Sequence, residues 1–340
     1  MDLQPDDDVR DARAAIRALL TGECPPAVVR AHGEEGQPAA GLVERLTADG
    51  WCDLELPGDL LVAGVVAEEL GRAVAPVGWL PLMAARAVAG AETTATALAI
   101  SEGGNGLLPG ALTTRVVNGR LRGTKTAVLG CDGQEPIVVV GLGVDDRLAA
   151  WVVEPSGYTA TPVTPMDATR PWADMTIDAP ASEAVADEDA VHAALGSALA
   201  LHAAETVGVC QRLLDDTVAY VSVREQFGRP VGSFQGLQHT LAEAHLLNER
   251  ARGATTLALL SVHEGDPKAA LAVAAAAVAA KDAAVRIARD ALQSHGGIGY
   301  TWEHDLHLPL KRARANAILW GSAAWHRQRV ADLLGLPAAS

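Results

Sequence analysis

Gln293-Ser-His-Gly-Gly-Ile-Gly-Tyr-Thr-Trp-Glu-His-Asp305 lies between two helical patterns, and its glycines decide how the chain is read. An alanine-rich helical run over 268–292 leads into it, and Gly296, Gly297 and Gly299 stop that run. Another helical pattern begins near His304. Glycine permits positive φ and close approach to bare backbone. A turn between two long helices needs one such residue, and here there are three in four positions. Two readings stand: a helix-terminating loop, or exposed backbone against which a ligand or another chain lies.

Working outward, helical periodicity runs through the whole C-terminal half, in segments 191–224, 234–262, 267–293 and 304–334. Asp266-Pro267 marks the third start, a capping carboxylate followed by proline. The third segment is nearly all Ala and Val on its buried side, so its neighbours can pack close. Four long helices with short links make an antiparallel bundle.

Upstream, residues 96–190 change texture. Val116-Val-Asn-Gly-Arg-Leu121 predicts a hairpin with a type I′ turn at Asn118-Gly119. Residues 136–140, 148–153 and 175–178 read as further strands of a small antiparallel barrel or sandwich. Residues 1–95 read as helical. Leu42 and Leu46 precede a break at Asp49-Gly50-Trp51, and a helix over 60–73 is closed by Gly71-Arg72 and Pro76. Glu68 and Glu69 read as a solvated face of that helix. The expected fold class is α+β: an N-terminal helical domain (1–95), a small middle β-barrel (96–190) and a C-terminal four-helix bundle (191–340).

At 340 residues with 49% hydrophobic content and mean hydropathy +0.15, the chain can bury a sizeable core. A net charge of −15 argues against nucleic acid or an anionic membrane as partner. Cys24, Cys52, Cys131 and Cys210 form no CxxC pair, which fits free thiols in a reducing compartment. The acidic N-terminus has no apolar core of a signal peptide. The longest apolar helical runs, 190–204 and 269–280, fall short of the ~18 to 20 residues that span a bilayer. A cytoplasmic location is the expectation.

A second constellation is Arg224-Glu-Gln-Phe-Gly-Arg-Pro-Val-Gly-Ser-Phe-Gln235, a tight glycine- and proline-rich link between two helices. An arginine beside such a turn suits phosphate, because its planar fork binds oxyanions bidentately. It equally suits a carboxylate at a bundle corner. His304, Asp305 and His307 carry two histidines at i and i+3 without a third ligand in view, so no metal is expected. His202 and His239 read as packed or hydrogen-bonded helix residues. Asp167 and Arg170 read as a structural pair within the β-domain.

The Arg224–Gln235 stretch and Gln293-Ser-His-Gly-Gly-Ile-Gly-Tyr-Thr resemble the two signatures of the acyl-CoA dehydrogenase family, and the order of domains matches too. Trp302-Glu-His-Asp-Leu-His-Leu resembles an actinobacterial branch that handles bulky CoA thioesters, including steroid side chains. The resemblance implies FAD as cofactor, an acyl-CoA substrate desaturated at its α,β bond, and an electron-transfer flavoprotein as acceptor. It implies that Arg224, Gln226 and Phe227 meet the pyrophosphate and adenine side of a neighbouring subunit's FAD. Gln235 matches an adenine-side contact, and Gln293, Gly296 and Gly297 complete the cradle.

The departures from the family pattern bear on catalysis. The usual base is a Glu in the last helix, where this chain has Trp320; the alternative base position, on the first bundle helix, falls at Ala198. Glu205, seven residues on, lies on a similar helical face and is the candidate for a displaced base. After Gly123-Thr-Lys125 the family's flavin-facing aromatic and hydroxyl residues are replaced by Ala127 and Leu129. The acidic, glycine-bearing acyl-CoA loop is altered to Ser101-Glu-Gly-Gly-Asn105. The resemblance therefore implies the short subunit of a heteromeric (α2β2) acyl-CoA dehydrogenase, with a longer partner supplying the Glu. The alternatives are a self-sufficient homo-oligomer using Glu205 and a flavin-free structural subunit.

Overall fold

Helix α6 (Glu188–Val223) is the axis of the computed structural model, which describes residues 7–103 and 112–337. Asp187 caps it by accepting from the Ala190 N–H at 3.0 Å, and Glu188 and Asp189 complement the helix dipole in its first turn. It is 36 residues long and apolar enough to cross a membrane, contrary to the expectation from its sequence. Its most apolar window is 83% buried, so that apolar surface is spent on the core.

Around α6 pack α7 (Gln235–His263), α8 (Ala269–His295) and α9 (His307–Asn316), while α10 (Ala323–Leu333) lies on α8. The expected fourth helix is broken in two. At 317–322 the chain turns through Trp320 and Gly321, with φ of 54° and 96°. Lys281, buried on α8, holds the break by donating to the Asn316 and Leu319 carbonyls at 3.0 and 2.7 Å. Ser322 then caps α10. Otherwise α8 buries small residues, Ala276, Ala277, Ala280, Ala284, Ala288 and Ala291 among them, as the composition predicts.

The N-terminal helices are α1 (Asp7–Glu23), α2 (Pro26–Glu35), α3 (Ala40–Ala48), α4 (Leu60–Ala73) and α5 (Trp79–Ala89). Helix α4 crosses α6 with backbones almost in contact. A Cβ on Gly208 would lie 1.8 Å from the Glu68 carbonyl, and one on Gly71 2.1 Å from the Glu205 carbonyl. Gly71 therefore permits the crossing and does not close the helix, which ends beyond it with Val74 in the left-handed region. Glu68 and Glu69 are not on a solvated face. Glu69 is 3% exposed and takes Arg13 and Arg17 at 2.9 and 2.6 Å, while Glu68 takes Arg13 and Arg252.

Between the helical regions lie β1 (Ala97–Ala99), β2 (Arg115–Val117), β3 (Arg120–Leu129), β4 (Ile137–Leu142), β5 (Leu148–Val153), β6 (Tyr158–Pro162) and β7 (Trp172–Pro180). They form one seven-stranded sheet in the order β1-β4-β2-β3-β7-β6, with β5 also on β4. Pairing is mostly antiparallel, but β1 and β2 both run parallel to β4. The Asn118-Gly119 turn joins β2 to β3 with both φ positive, 51° and 73°, as a type I′ turn requires. Strand β4 is buried on both faces. Ile137 and Val139 join a core the sheet wraps around itself, and Val138, Val140 and Leu142 join the helical core.

Candidate functional site

An open cavity of about 910 Å³ forms where the C-terminal end of α6, the link to α7 and the last turns of α8 converge. Arg224 and Gln226 line it together with Gln293, Gly296 and Gly297, although 66 residues of chain lie between Gln226 and Gln293. The link is a two-residue hairpin, β8 (Glu225–Gln226) against β9 (Arg229–Pro230), turning through Phe227 and Gly228 with φ of 53° and 75°. Phe227 stands at its tip, 91% exposed, edge-on to Phe234. Arg229 lies over the other aromatic, 4.2 Å from the Phe234 centroid. Gln235 opens α7 as an exposed residue outside the cavity lining, while the next residue, Gly236, is part of it.

The three glycines have three different reasons. Gly296 takes φ 63° to end α8. Gly299 has no room for a side chain, since a Cβ would lie 3.0 Å from that of His295. Gly297 has neither constraint: its φ is ordinary and nothing lies within 4 Å of a Cβ built there. Its bare backbone faces the cavity, which favours the second of the two readings of this turn. Arg224 is comparable, an exposed guanidinium with no ion-pair or hydrogen-bond partner among the described residues. The carboxylate at the bundle corner is therefore absent there.

Sequence reading missed Arg286, Arg289 and Asp290. They share a face of α8 with Gln293, at spacings of three, four and seven residues, and that periodicity was the available signal. Asp290, 7% exposed, accepts from Arg286 Nε at 2.6 Å and from Arg289 at 3.1 Å. On the inner wall Tyr220 stacks on His295 with centroids 4.4 Å apart, and His304 meets both rings edge-on. Burial pushes the His295 imidazole below its usual range, so it is neutral at pH 7. Beyond the turn, Asp305 accepts from Arg30, and His307 Nε2 lies 2.8 Å from Glu34, so both anchor the chain to α2.

Elsewhere the expected catalytic positions are filled by packing. Trp320 is 5% exposed, with its ring edge-on to His202, centroids 5.7 Å apart. Ala198, one turn before His202, is 1% exposed. Burial keeps His202 well below its usual pKa, whereas His239 is exposed and not packed as expected. Glu205 is 4% exposed and accepts from Arg170 at 2.9 Å, Arg312 at 3.2 Å and Asn316 at 3.1 Å. Asp167 belongs to the same cluster, bonded to Arg312 Nε at 2.5 Å and Arg170 at 3.3 Å. The pair read as internal to the β-domain thus ties it to α6 and α9. Burial raises the Asp167 carboxyl, but Arg312 and Arg170 outweigh it and hold it at about 2.

In the sheet, Lys125 is buried and pairs with Glu102 at 2.6 Å. Burial lowers the amine to about 8, and its pairing with Glu102 works the other way. Burial alone would raise Glu102, yet Lys125, Thr113 and Thr114 hold it at about 2, so the pair is ionised at pH 7. Ala127 sits at a bulge with φ 49°, exposed, its N–H on Asp174 at 2.9 Å, and Leu129 turns into the helical core. Gly104 and Asn105, in the altered loop, lie outside the described residues.

A family model described as "Acyl-CoA dehydrogenase, C-terminal domain" matches residues 189–335. Acyl-CoA dehydrogenase IpdE2 of Mycobacterium tuberculosis (strain ATCC 25618 / H37Rv) is 31% identical over 329 residues, covering 93% of this chain and 94% of the relative. Among solved structures, the Tcur3481-Tcur3483 steroid ACAD G363A variant superposes with a TM-score of 0.87 at 25% identity, covering 97% of this chain and 98% of that one. The ChsE4-ChsE5 complex from Mycobacterium tuberculosis superposes at 0.86 and 22% identity over 100% of both chains, a likeness of fold.

Proposed function

The chain belongs to the acyl-CoA dehydrogenase family, and we propose that within it the chain is the half-site subunit of a heteromeric enzyme. Its cofactor is FAD, and its own residues hold the ADP half of a flavin whose ring reacts in a longer partner. The carrying observation is a contrast within one molecule. Arg224, whose guanidinium has no partner among the described residues, and Gly297, where a side chain would meet nothing within 4 Å, line an open cavity, while Trp320 and Ala198 are buried at the positions of the base.

In this reading Arg224 sets its fork on the pyrophosphate. Gly296 and Gly297 let the backbone approach, and Gln226 and Gln293 supply amides on the adenine side. The residues do not fit the flavin ring: Ala127 has no aromatic face and Leu129 has no hydroxyl. When bound, FAD would supply a hydride acceptor for α,β-desaturation of a thioester, and the base for the α-proton would have to come from the partner. Glu205 is not suited to be that base, because two buried guanidiniums already hold its carboxylate. A bulky, steroid-derived acyl-CoA is the proposed substrate, supported by the likeness to the steroid ACAD variant. An electron-transfer flavoprotein is the proposed electron acceptor.

The test is to purify the chain alone and together with the longer homologue from the same source, and to measure bound flavin and acyl-CoA oxidation. We expect flavin and turnover only in the complex. Arg224→Ala should weaken flavin retention by roughly tenfold or more, since a charge-assisted contact to phosphate is lost. Stoichiometric FAD with turnover in the chain alone would overturn the reading. So would an Arg224→Ala complex with unchanged flavin, which is what a flavin-free structural subunit gives.

A further inference from the structure

The turn at Gly296–Tyr300 does not run directly into α9. Residues 301–306 lie between them and form neither helix nor strand. Two side chains of this segment nevertheless back the turn. His304 meets the rings of His295 and Tyr220 edge-on, with centroids 4.9 and 5.9 Å away. Leu306, 0% exposed, lies against Gly299, its Cδ2 only 3.3 Å from where a Cβ on that glycine would stand. Whatever fixes the segment therefore helps to fix the turn. The residue that does so comes from the other end of the chain. Arg30, on α2, donates through Nε and Nη2 to the Asp305 carboxylate at 2.9 and 2.5 Å, and through Nη1 to the Trp302 carbonyl at 2.8 Å. One planar group thus holds two points of the segment, three residues apart. Glu34, one turn further along α2, accepts from Arg30 Nη1 at 3.1 Å and lies 2.8 Å from His307 Nε2, so the guanidinium is itself held in place.

This clamp is not needed to seat the N-terminal helices on the bundle. The α4–α6 crossing does that, with Glu68 of α4 also paired to Arg252 of α7. We propose that Arg30 is a positioning residue for the cradle: it holds residues 301–306 so that His304 and Leu306 keep Gly296 and Gly297 in the conformation that receives the ADP half of the flavin. The proposal rests on the ADP-cradle reading above. It adds a side chain of the N-terminal helices to a site whose lining comes entirely from the C-terminal bundle. A turn already in place binds without first being ordered, and a turn in place only a tenth of the time binds about tenfold more weakly.

The measurement is made on the purified complex with the longer homologue. Flavin released on serial dilution, read by its fluorescence, gives the FAD dissociation constant. Arg30→Met keeps the apolar stem and removes every donor, and should raise that constant by on the order of two- to tenfold. With FAD saturating, kcat and the acyl-CoA KM should stay at their wild-type values, since Arg30 acts only through the turn. Arg30→Lys should behave as Arg30→Met does, because a single ammonium does not reproduce the fork; full rescue by lysine overturns the proposal. Asp305→Ala should shift the constant in the same direction, and it carries the test even where Arg30→Met fails to assemble. The double variant should match Arg30→Met, because both act through one contact, and additive shifts overturn the proposal. A purely structural Arg30 would lower kcat at saturating FAD or leave the dissociation constant unchanged, and either result also overturns it. If Arg224→Ala weakens flavin retention while Arg30→Met and Asp305→Ala do not, the cradle stands and this inference alone fails. If Arg224→Ala leaves flavin unchanged, the cradle reading fails and this inference with it.

Discussion

Lys281 shows what one residue can cost a helix bundle. It is 1% exposed, it has carbonyl acceptors but no carboxylate partner among the described residues, and burial lowers its amine to about 7. Its unfolded-state value is the higher one, so the unfolded chain binds the extra proton between about pH 7 and 10.5. Stability from this group is therefore complete above the unfolded value and is lost as pH falls toward 7. We expect wild-type unfolding free energy to rise with pH across that window, by up to about 1.4 kcal/mol per pH unit. Lys281→Met should flatten the slope; denaturant melts at pH 7 and pH 9 check this. Nothing in the alanine-rich sequence of α8 announced that its one lysine points inward, because burial of a charge is decided by the neighbouring helix break. Arg224 and Gly297 were legible as cavity-lining candidates for the opposite reason, since their chemistry is local: a fork without a partner among the described residues and a position with room around it. Arg286, Arg289 and Asp290 were readable from helical spacing alone. Glu68 and Glu69 were not, since their arginine partners come from α1 and α7.

At the scale of elements, segments with local punctuation matched their sequence. Helix α4 and strand β5 have the expected bounds, and the Asn118-Gly119 turn forms as expected, because periodicity and turn chemistry are local there. The fourth bundle helix did not match, since Trp320 and Gly321 turn the chain in a stretch whose composition reads as helical. The α4–α6 crossing was equally hidden: a glycine inside a helix is silent about which backbone it admits. That crossing gives a sharp prediction. Gly208→Ala would place a methyl 1.8 Å from the Glu68 carbonyl, which is backbone and cannot yield as a side chain does. The helices must separate, at a cost of about 1–3 kcal/mol or more, as for overpacking in a core. Thermal melts of Gly208→Ala beside Gly253→Ala, whose added Cβ meets nothing within 4 Å, isolate the effect. Equal melting temperatures would show that the crossing has slack.

At the scale of the whole molecule, the sequence divides into helical, strand-rich and helical thirds, yet the ties between them run through side chains far apart in sequence. The Asp167–Arg170–Glu205–Arg312 cluster joins the loop before β7 to α6 and α9, and Arg312 also donates to the Ala75 carbonyl at 3.2 Å. Strand β4 divides its alternate side chains between the core of the sheet and that of the helices. A strand shared in this way cannot leave one core and stay in the other. Heating should therefore give a single calorimetric peak whose van't Hoff and calorimetric enthalpies agree, and limited proteolysis should release no folded sheet fragment. A partner that grips only the α7–α8 end would then protect the distant sheet from melting as well.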